Sequence, residues 1–237
     1  MRLYLLIFLA ALVSCSDFER LNPLDPKADN YVGSSNGSGG SSSSGGSSSS
    51  GSQGTGLCAG FTDGTTTEHY GRLKLQFCDA RDGTRYVYVT IGGIGGKIWM
   101  AENLNYNASD SECYDNQDAN CTVYGRLYYQ ETAKTACPTG WHLPTKDEWN
   151  TLITTVGEST AGVTLKAKTD LWQHGNNGTD DHGFAALPGG YYGGYVGRHG
   201  YWWTATDTWY TIMDAAHNIG ERNSGSSSSL LSVRCVR

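Results

Sequence analysis

The chain has 237 residues and carries 17 Lys and Arg against 23 Asp and Glu, a formal net charge of −6. That balance lacks the excess positive charge that holds a phosphate backbone by counterion release, so nucleic acid is not an expected partner. The longest apolar run, Leu3 to Val13, has eleven residues, whereas a helix crossing a bilayer needs about 20, so no segment can span as a helix.

Met1-Arg2 supplies a positive start, the eleven apolar residues a hydrophobic stretch, and Leu12-Val13-Ser14-Cys15 a cleavage site. This run resembles a bacterial lipobox, which implies a lipoprotein signal peptide over residues 1–14 and a lipid-bearing (palmitate) Cys15 as the membrane anchor. Ser16-Asp17-Phe18-Glu19 is similar to the acidic tetrapeptides of surface-exposed lipoproteins, which implies outer-membrane or cell-surface placement. Seven cysteines behind such a leader point to an oxidising compartment. Residues 15–56 then form the lipidated N-terminus and a linker. Gly33 to Gly56 holds 9 Gly and 12 Ser in 24 residues, too little apolar bulk to offset ordering entropy. The composition predicts a flexible coil with a span of roughly 27 Å.

The remaining 181 residues, 57–237, contain all seven Trp, 13 Tyr and three Phe, enough aromatic bulk for a β-rich core with rings left for the surface. Arg72 to Phe77 and Arg85 to Ile91 alternate polar with apolar residues around an Asp-Gly turn, which predicts a hairpin. Lys97 to Leu104 resumes the alternation after a glycine run. That run is not a phosphate loop, because Ile91 and Ile98 occupy the positions such a loop needs for glycine and a hydroxyl. One helix is predicted over Tyr124 to Ala136. A second follows Thr145 and Glu148, which form a capping box ahead of Trp149, Leu152, Ile153 and Val156, and Gly157 ends it. Glu158 to Gly200 reads as a long irregular loop, of the kind usually functional or held by something specific. Strands return at Tyr201 to Thr206, Thr208 to Asp214 and Leu230 to Val236.

Trp99-Met100-Ala101-Glu102-Asn103-Leu104-Asn105-Tyr106, Tyr124 to Tyr128, Cys137-Pro138-Thr139-Gly140-Trp141-His142-Leu143-Pro144-Thr145, Gly183 to Gly190 and Val233-Arg234-Cys235 occur in that order. Together they resemble the Fibrobacter succinogenes major paralogous domain, with coverage from Phe77 to Arg237. That family is abundant on the surface of its bacteria, usually as lipoproteins. More distantly, His142 to Trp149 is similar to formylglycine-generating-enzyme domains. This resemblance implies an α+β, C-type-lectin-like fold, with two helices packed on antiparallel strands, a long irregular loop and disulfide stabilisation.

The formylglycine relatives hold copper with a cysteine pair after this segment, and here only Cys235 lies in that half, so an enzyme is not expected. The acidic tripeptides that bind calcium and sugar in animal C-type lectins do not occur. Asp180 and Asp181, with His182 and Asp207, form the nearest candidate calcium cluster. A polar turn bonding its own amides is the favoured reading, and no cofactor is expected. With Cys15 lipidated, six cysteines allow fifteen pairings. Cys58 with Cys78, Cys113 with Cys121 and Cys137 with Cys235 is the simplest set, and the last resembles the long bridge of C-type lectins.

A tethered head with spare aromatics suggests a non-catalytic binding module for extracellular polysaccharide or adhesion. The alternative is a structural subunit packing against other surface proteins. Tyr191, Tyr192 and Tyr195 lie on a glycine-rich stretch beside Trp202 and Trp203. Alternation along a strand sends those two indoles to opposite faces, and the expectation is that one faces away from the core. These five rings are the candidate ligand-binding residues, with filling of the core beneath the long loop as the competing reading for the tyrosines.

Overall fold

The computed structural model describes residues 56–216, 219–223 and 226–237. Cys15, the signal peptide and the linker up to Thr55 lie outside the described residues. Strands β1 (Thr65–His69), β2 (Arg72–Cys78), β3 (Arg85–Ile91) and β4 (Lys97–Met100) form one antiparallel sheet in sequential order. Between β1 and β2 the turn uses Tyr70 at φ 50 and Gly71 at φ 74, the left-handed pair that a two-residue hairpin requires. β2 and β3 form the expected hairpin, with Leu75 opposite Tyr88 and Phe77 opposite Tyr86.

The second sheet runs in the order β5 (Ser111–Glu112), β6 (Leu127–Tyr128), β10 (Leu231–Ser232), β7 (His199–Trp203), β8 (Trp209–Asp214), β9 (Ile219–Asn223). Its pairs are antiparallel except β10 with β7. Among the described residues, four α-helices accompany the sheets: α1 (Asp118–Tyr124), α2 (Gln130–Ala136), α3 (Lys146–Val156) and α4 (Ala161–Thr164). The class is therefore α+β with mainly antiparallel sheets, as expected.

The capping box on α3 is present: Glu148 N donates to Thr145 Oγ1 at 3.2 Å, and Thr145 N donates to Glu148 Oε2 at 2.9 Å. Trp149, Leu152 and Val156 are buried on one face, and Gly157 at φ 93 closes the helix. The helix expected over Tyr124 to Ala136 is instead two helices and a strand. Gly125 at φ 75 ends α1, and Arg126 N donates to Leu104 O at 3.0 Å. Leu127–Tyr128 then pairs with both β5 and β10. Good helix formers yield here because sheet pairing and burial outweigh a propensity worth only a few tenths of a kcal/mol per residue.

Among the described residues, the two larger of three cores lie on opposite sides of the strands. One gathers Phe77, Tyr86, Tyr88, Met100, Leu104, Tyr128, Trp141, Trp203 and Val233. The other gathers Trp99, Trp149, Leu152, Leu165, Trp172, Phe184, Trp202, Met213 and Val236. Neighbours in sequence are divided between them: Trp99 and Met100, Trp202 and Trp203, Cys235 and Val236. The expectation that one of Trp202 and Trp203 leaves the core is thus corrected, since both are fully buried. They do point to opposite faces, but both faces are covered. Trp202 Nε1 donates to Asn103 Oδ1 at 2.8 Å and Trp203 Nε1 to Tyr128 O at 2.7 Å, so neither indole nitrogen is stranded.

β2 shows the converse. Its alternation suggests that the leucines face inward, yet Leu73 is 79% exposed while Lys74 is buried. The ammonium is tolerated because Asp180, from the long loop, lies 3.1 Å away, and a buried charge persists only when paired. The disulfides are Cys58–Cys78, Cys113–Cys121 and Cys137–Cys235, the set suggested by the sequence.

Candidate functional site

The long loop contributes apolar side chains to the interior. Leu165, Ala167, Trp172, Phe184, Ala185, Ala186 and Leu187 are buried, and Ala167 N and Ala186 N bond to Ala186 O and Leu165 O respectively. Asp180 cannot serve as a free metal ligand, because Oδ2 pairs with Lys74 and Oδ1 accepts Ala185 N at 2.7 Å. Asp181 is exposed beside it, and among the described residues no three His, Cys, Asp or Glu side chains converge.

The motif residues meet at Arg234, which is fully buried. Its Nε and Nη2 donate to Asn103 Oδ1 at 3.1 and 2.7 Å, and Nη1 donates to Phe184 O at 2.7 Å and Met100 O at 3.2 Å. Its guanidinium carbon lies 4.6 Å from the centre of the Phe184 ring. Burial lowers the guanidinium pKa to about 9, against the pull of Glu102 and Asp180. Carbonyl dipoles and one amide thus replace its hydration shell. Because Asn103 Oδ1 also accepts Trp202 Nε1, segments distant in sequence are locked at one point.

A family model described as the Fibrobacter succinogenes major domain matches residues 93–237, more than half of the chain. The chain belongs to this family. The match starts at Gly93, later than the Phe77 suggested by motif reading, so β1 to β3 precede it. No curated protein and no solved structure matches the chain.

Outside the motif lattice, the tyrosine loop forms a surface site in this family member. Gly190, at φ 66, starts it; a Cβ there would lie 2.5 Å from Gly194 O and 2.6 Å from Val196 N, so only glycine fits. Tyr191 N and Gly194 N exchange bonds with each other's carbonyls at 3.1 and 3.0 Å, closing a tight turn. The three tyrosines separate. Tyr191 is half-buried, edge-on to Tyr201 at 5.7 Å. Tyr192 is 39% exposed and Tyr195 48% exposed. Tyr192 Oη accepts a hydrogen bond from Asn116 Nδ2 at 2.9 Å, tying the loop to the segment closed by Cys113–Cys121.

Tyr195 has φ 66, an uncommon conformation for a tyrosine and of the kind retained where surroundings enforce it. Its ring lies flat on His199, with centroids 4.8 Å apart and planes 1° apart. His199 Nδ1 shares a 2.6 Å hydrogen bond with Tyr201 Oη. Burial lowers the His199 pKa despite nearby Asp214, with Arg198 adding to the effect, and burial raises that of Tyr201 well above its ordinary value. Both are therefore neutral near pH 7, and the platform under Tyr195 is uncharged.

Beside Tyr195 is an open cleft of about 450 Å³, lined by Tyr114, Gln173, Gly193, Gly194, Val196 and Arg198 as well. Arg198 Nε donates to Gln173 Oε1 at 3.1 Å. Tyr114, Gln173 and Arg198 were not singled out by sequence reading. Gln173 and Arg198 lie 25 positions apart in the long loop and Tyr114 in a different segment, and no spacing signal joins them.

Proposed function

We propose that the chain is a surface-anchored lipoprotein, held in the outer membrane by lipid on Cys15, whose C-type-lectin-like head binds extracellular polysaccharide without catalysing a reaction. The observation that carries this reading is the cleft beside Tyr195. It offers an exposed ring on a rigid, neutral support, with the polar groups of Gln173 and Arg198 and glycine backbone alongside. Flat rings receive the C–H faces of sugars, and neighbouring donors and acceptors take the hydroxyls. Tyr192 is a second exposed ring on the same loop, whereas Trp202 and Trp203, being buried, belong to the scaffold.

A glycan array probed with the folded head tests this. Tyr195→Ala is expected to weaken retention of the bound glycan by roughly tenfold, the worth of one stacked ring, with the melting temperature nearly unchanged. Equal binding by the variant, or no glycan retained by the parent, sinks the reading. Exposed Leu73 and Leu75 on β2 favour the second reading, a subunit packing against other surface proteins, and cross-linking on intact cells separates the two.

A further inference from the structure

Lys74 and Asp180 form an ion pair whose side chains are 0% and 1% exposed, with Nζ 3.1 Å from Oδ2. The two residues lie 106 positions apart. Gly183 lets the loop close over the lysine, since a Cβ there would lie 3.0 Å from Val89 Cγ1. Three further features surround the pair. Asp180 Oδ1 accepts Ala185 N at 2.7 Å, a donor placed to stabilise negative charge developing on that oxygen. His69 Nδ1 lies 3.2 Å from Lys74 Nζ, and its Nε2 lies 3.5 Å from Glu102 Oε1. A cavity of about 250 Å³ borders Lys74, Val89, His182 and Gly183.

We propose that Lys74 and Asp180 condense to an intramolecular isopeptide bond, joining β2 covalently to the long loop. The ammonium first transfers a proton to the carboxylate, which gives a neutral amine facing a carboxylic acid. Burial favours the neutral amine, because the ammonium loses its hydration. Nζ then attacks Asp180 Cγ while Oδ1 takes up the charge under Ala185 N–H. His69, steadied by Glu102, receives the second nitrogen proton and returns it to Oδ2, which leaves as water into the adjoining cavity. One N–C bond forms and one C–O bond breaks. No oxidant or reductant is needed, and two buried charges are replaced by a neutral amide. Fixed contact between amine and acid supplies the effective concentration that the reaction lacks in dilute water. Burial pushes the Lys74 pKa below its usual value, although Asp180 pulls it upward, consistent with an accessible neutral amine.

The linkage would matter for a tethered head. β2 lies outside the matched family region, and both ends of Cys58–Cys78 lie ahead of that region too. An isopeptide bond would therefore fasten the N-terminal hairpin, where a pull on the linker arrives, directly to the family domain.

Intact mass and tryptic mapping of the reduced, denatured full chain provide the test. The expected result is a mass lower by one water, no cleavage after Lys74, and a branched peptide containing Lys74 and Asp180. Lys74→Arg should restore the full mass, and Asp180→Asn should give the same branched product with ammonia lost instead of water. Full mass with free cleavage after Lys74 overturns the proposal. So does a lost water without the branched peptide, as a succinimide at Asp82-Gly83 would give. If Lys74→Arg fails to fold, the parent's peptide map decides alone.

Discussion

The lattice around Arg234 and the loop around Tyr195 are built from the same kinds of groups, backbone carbonyls, amides and aromatic rings, but turned in opposite directions. Around Arg234 every hydrogen-bonding group points inward, so the motif residues Met100, Asn103, Phe184 and Arg234 close on one another. Around Tyr195 the backbone closes on itself through Tyr191 and Gly194, leaving side chains at the surface. The motif residues that converge on Arg234 thus specify architecture. The exposed rings of Tyr192 and Tyr195 lie between the motifs, on a loop the motifs only position.

The largest effects should come from the interior. Removing the Cys137–Cys235 bridge by double substitution to alanine should cost about 4–5 kcal/mol on the chain-entropy model, read by urea denaturation. A loss under about 1 kcal/mol would show that the denatured chain is already constrained. Arg234→Met should cost about 4 kcal/mol or more, because it leaves several carbonyl acceptors buried without donors. A folded variant of parental stability would break the contrast between lattice and loop.

A smaller effect is expected at Glu148. Burial opposes its charge, but hydrogen bonds from Thr145 N, Lys97 and His142 prevail and hold its pKa at about 2, below the ordinary 4.5. Its folded pKa is lowered, so the stabilisation is fully present above pH 4.5 and lost as pH falls toward 2. Glu148→Gln should lower stability near neutrality by about 1 kcal/mol or less, and the difference from the parent should shrink across that acid range. A difference independent of pH would remove the charge from the explanation.

The smallest effect on stability is expected at the loop tip. Tyr192→Phe removes only the hydroxyl that accepts from Asn116, and should shift stability by less than about 0.5 kcal/mol. A shift of several kcal/mol would make the loop part of the lattice.

The α3 cap, the β2–β3 hairpin, the disulfide pairs and the family were legible in the sequence because each depends on local chemistry or on motif order. Thr145 and Glu148 need only each other. An Asp-Gly turn needs only its flanking strands. The strand at Leu127–Tyr128 was not legible, because its partners lie at Ser111–Glu112 and Leu231–Ser232. Nor was the inward turn of Lys74, whose acid is supplied from position 180. Alternation correctly separated Trp202 from Trp203, but how many faces of a sheet are covered is a property of the whole fold. By itself the sequence determined the α+β class and the local signals of helix, turn and pairing. Tertiary structure alone decided which surfaces remained open, because exposure depends on what other segments pack against a residue and not on the residue itself.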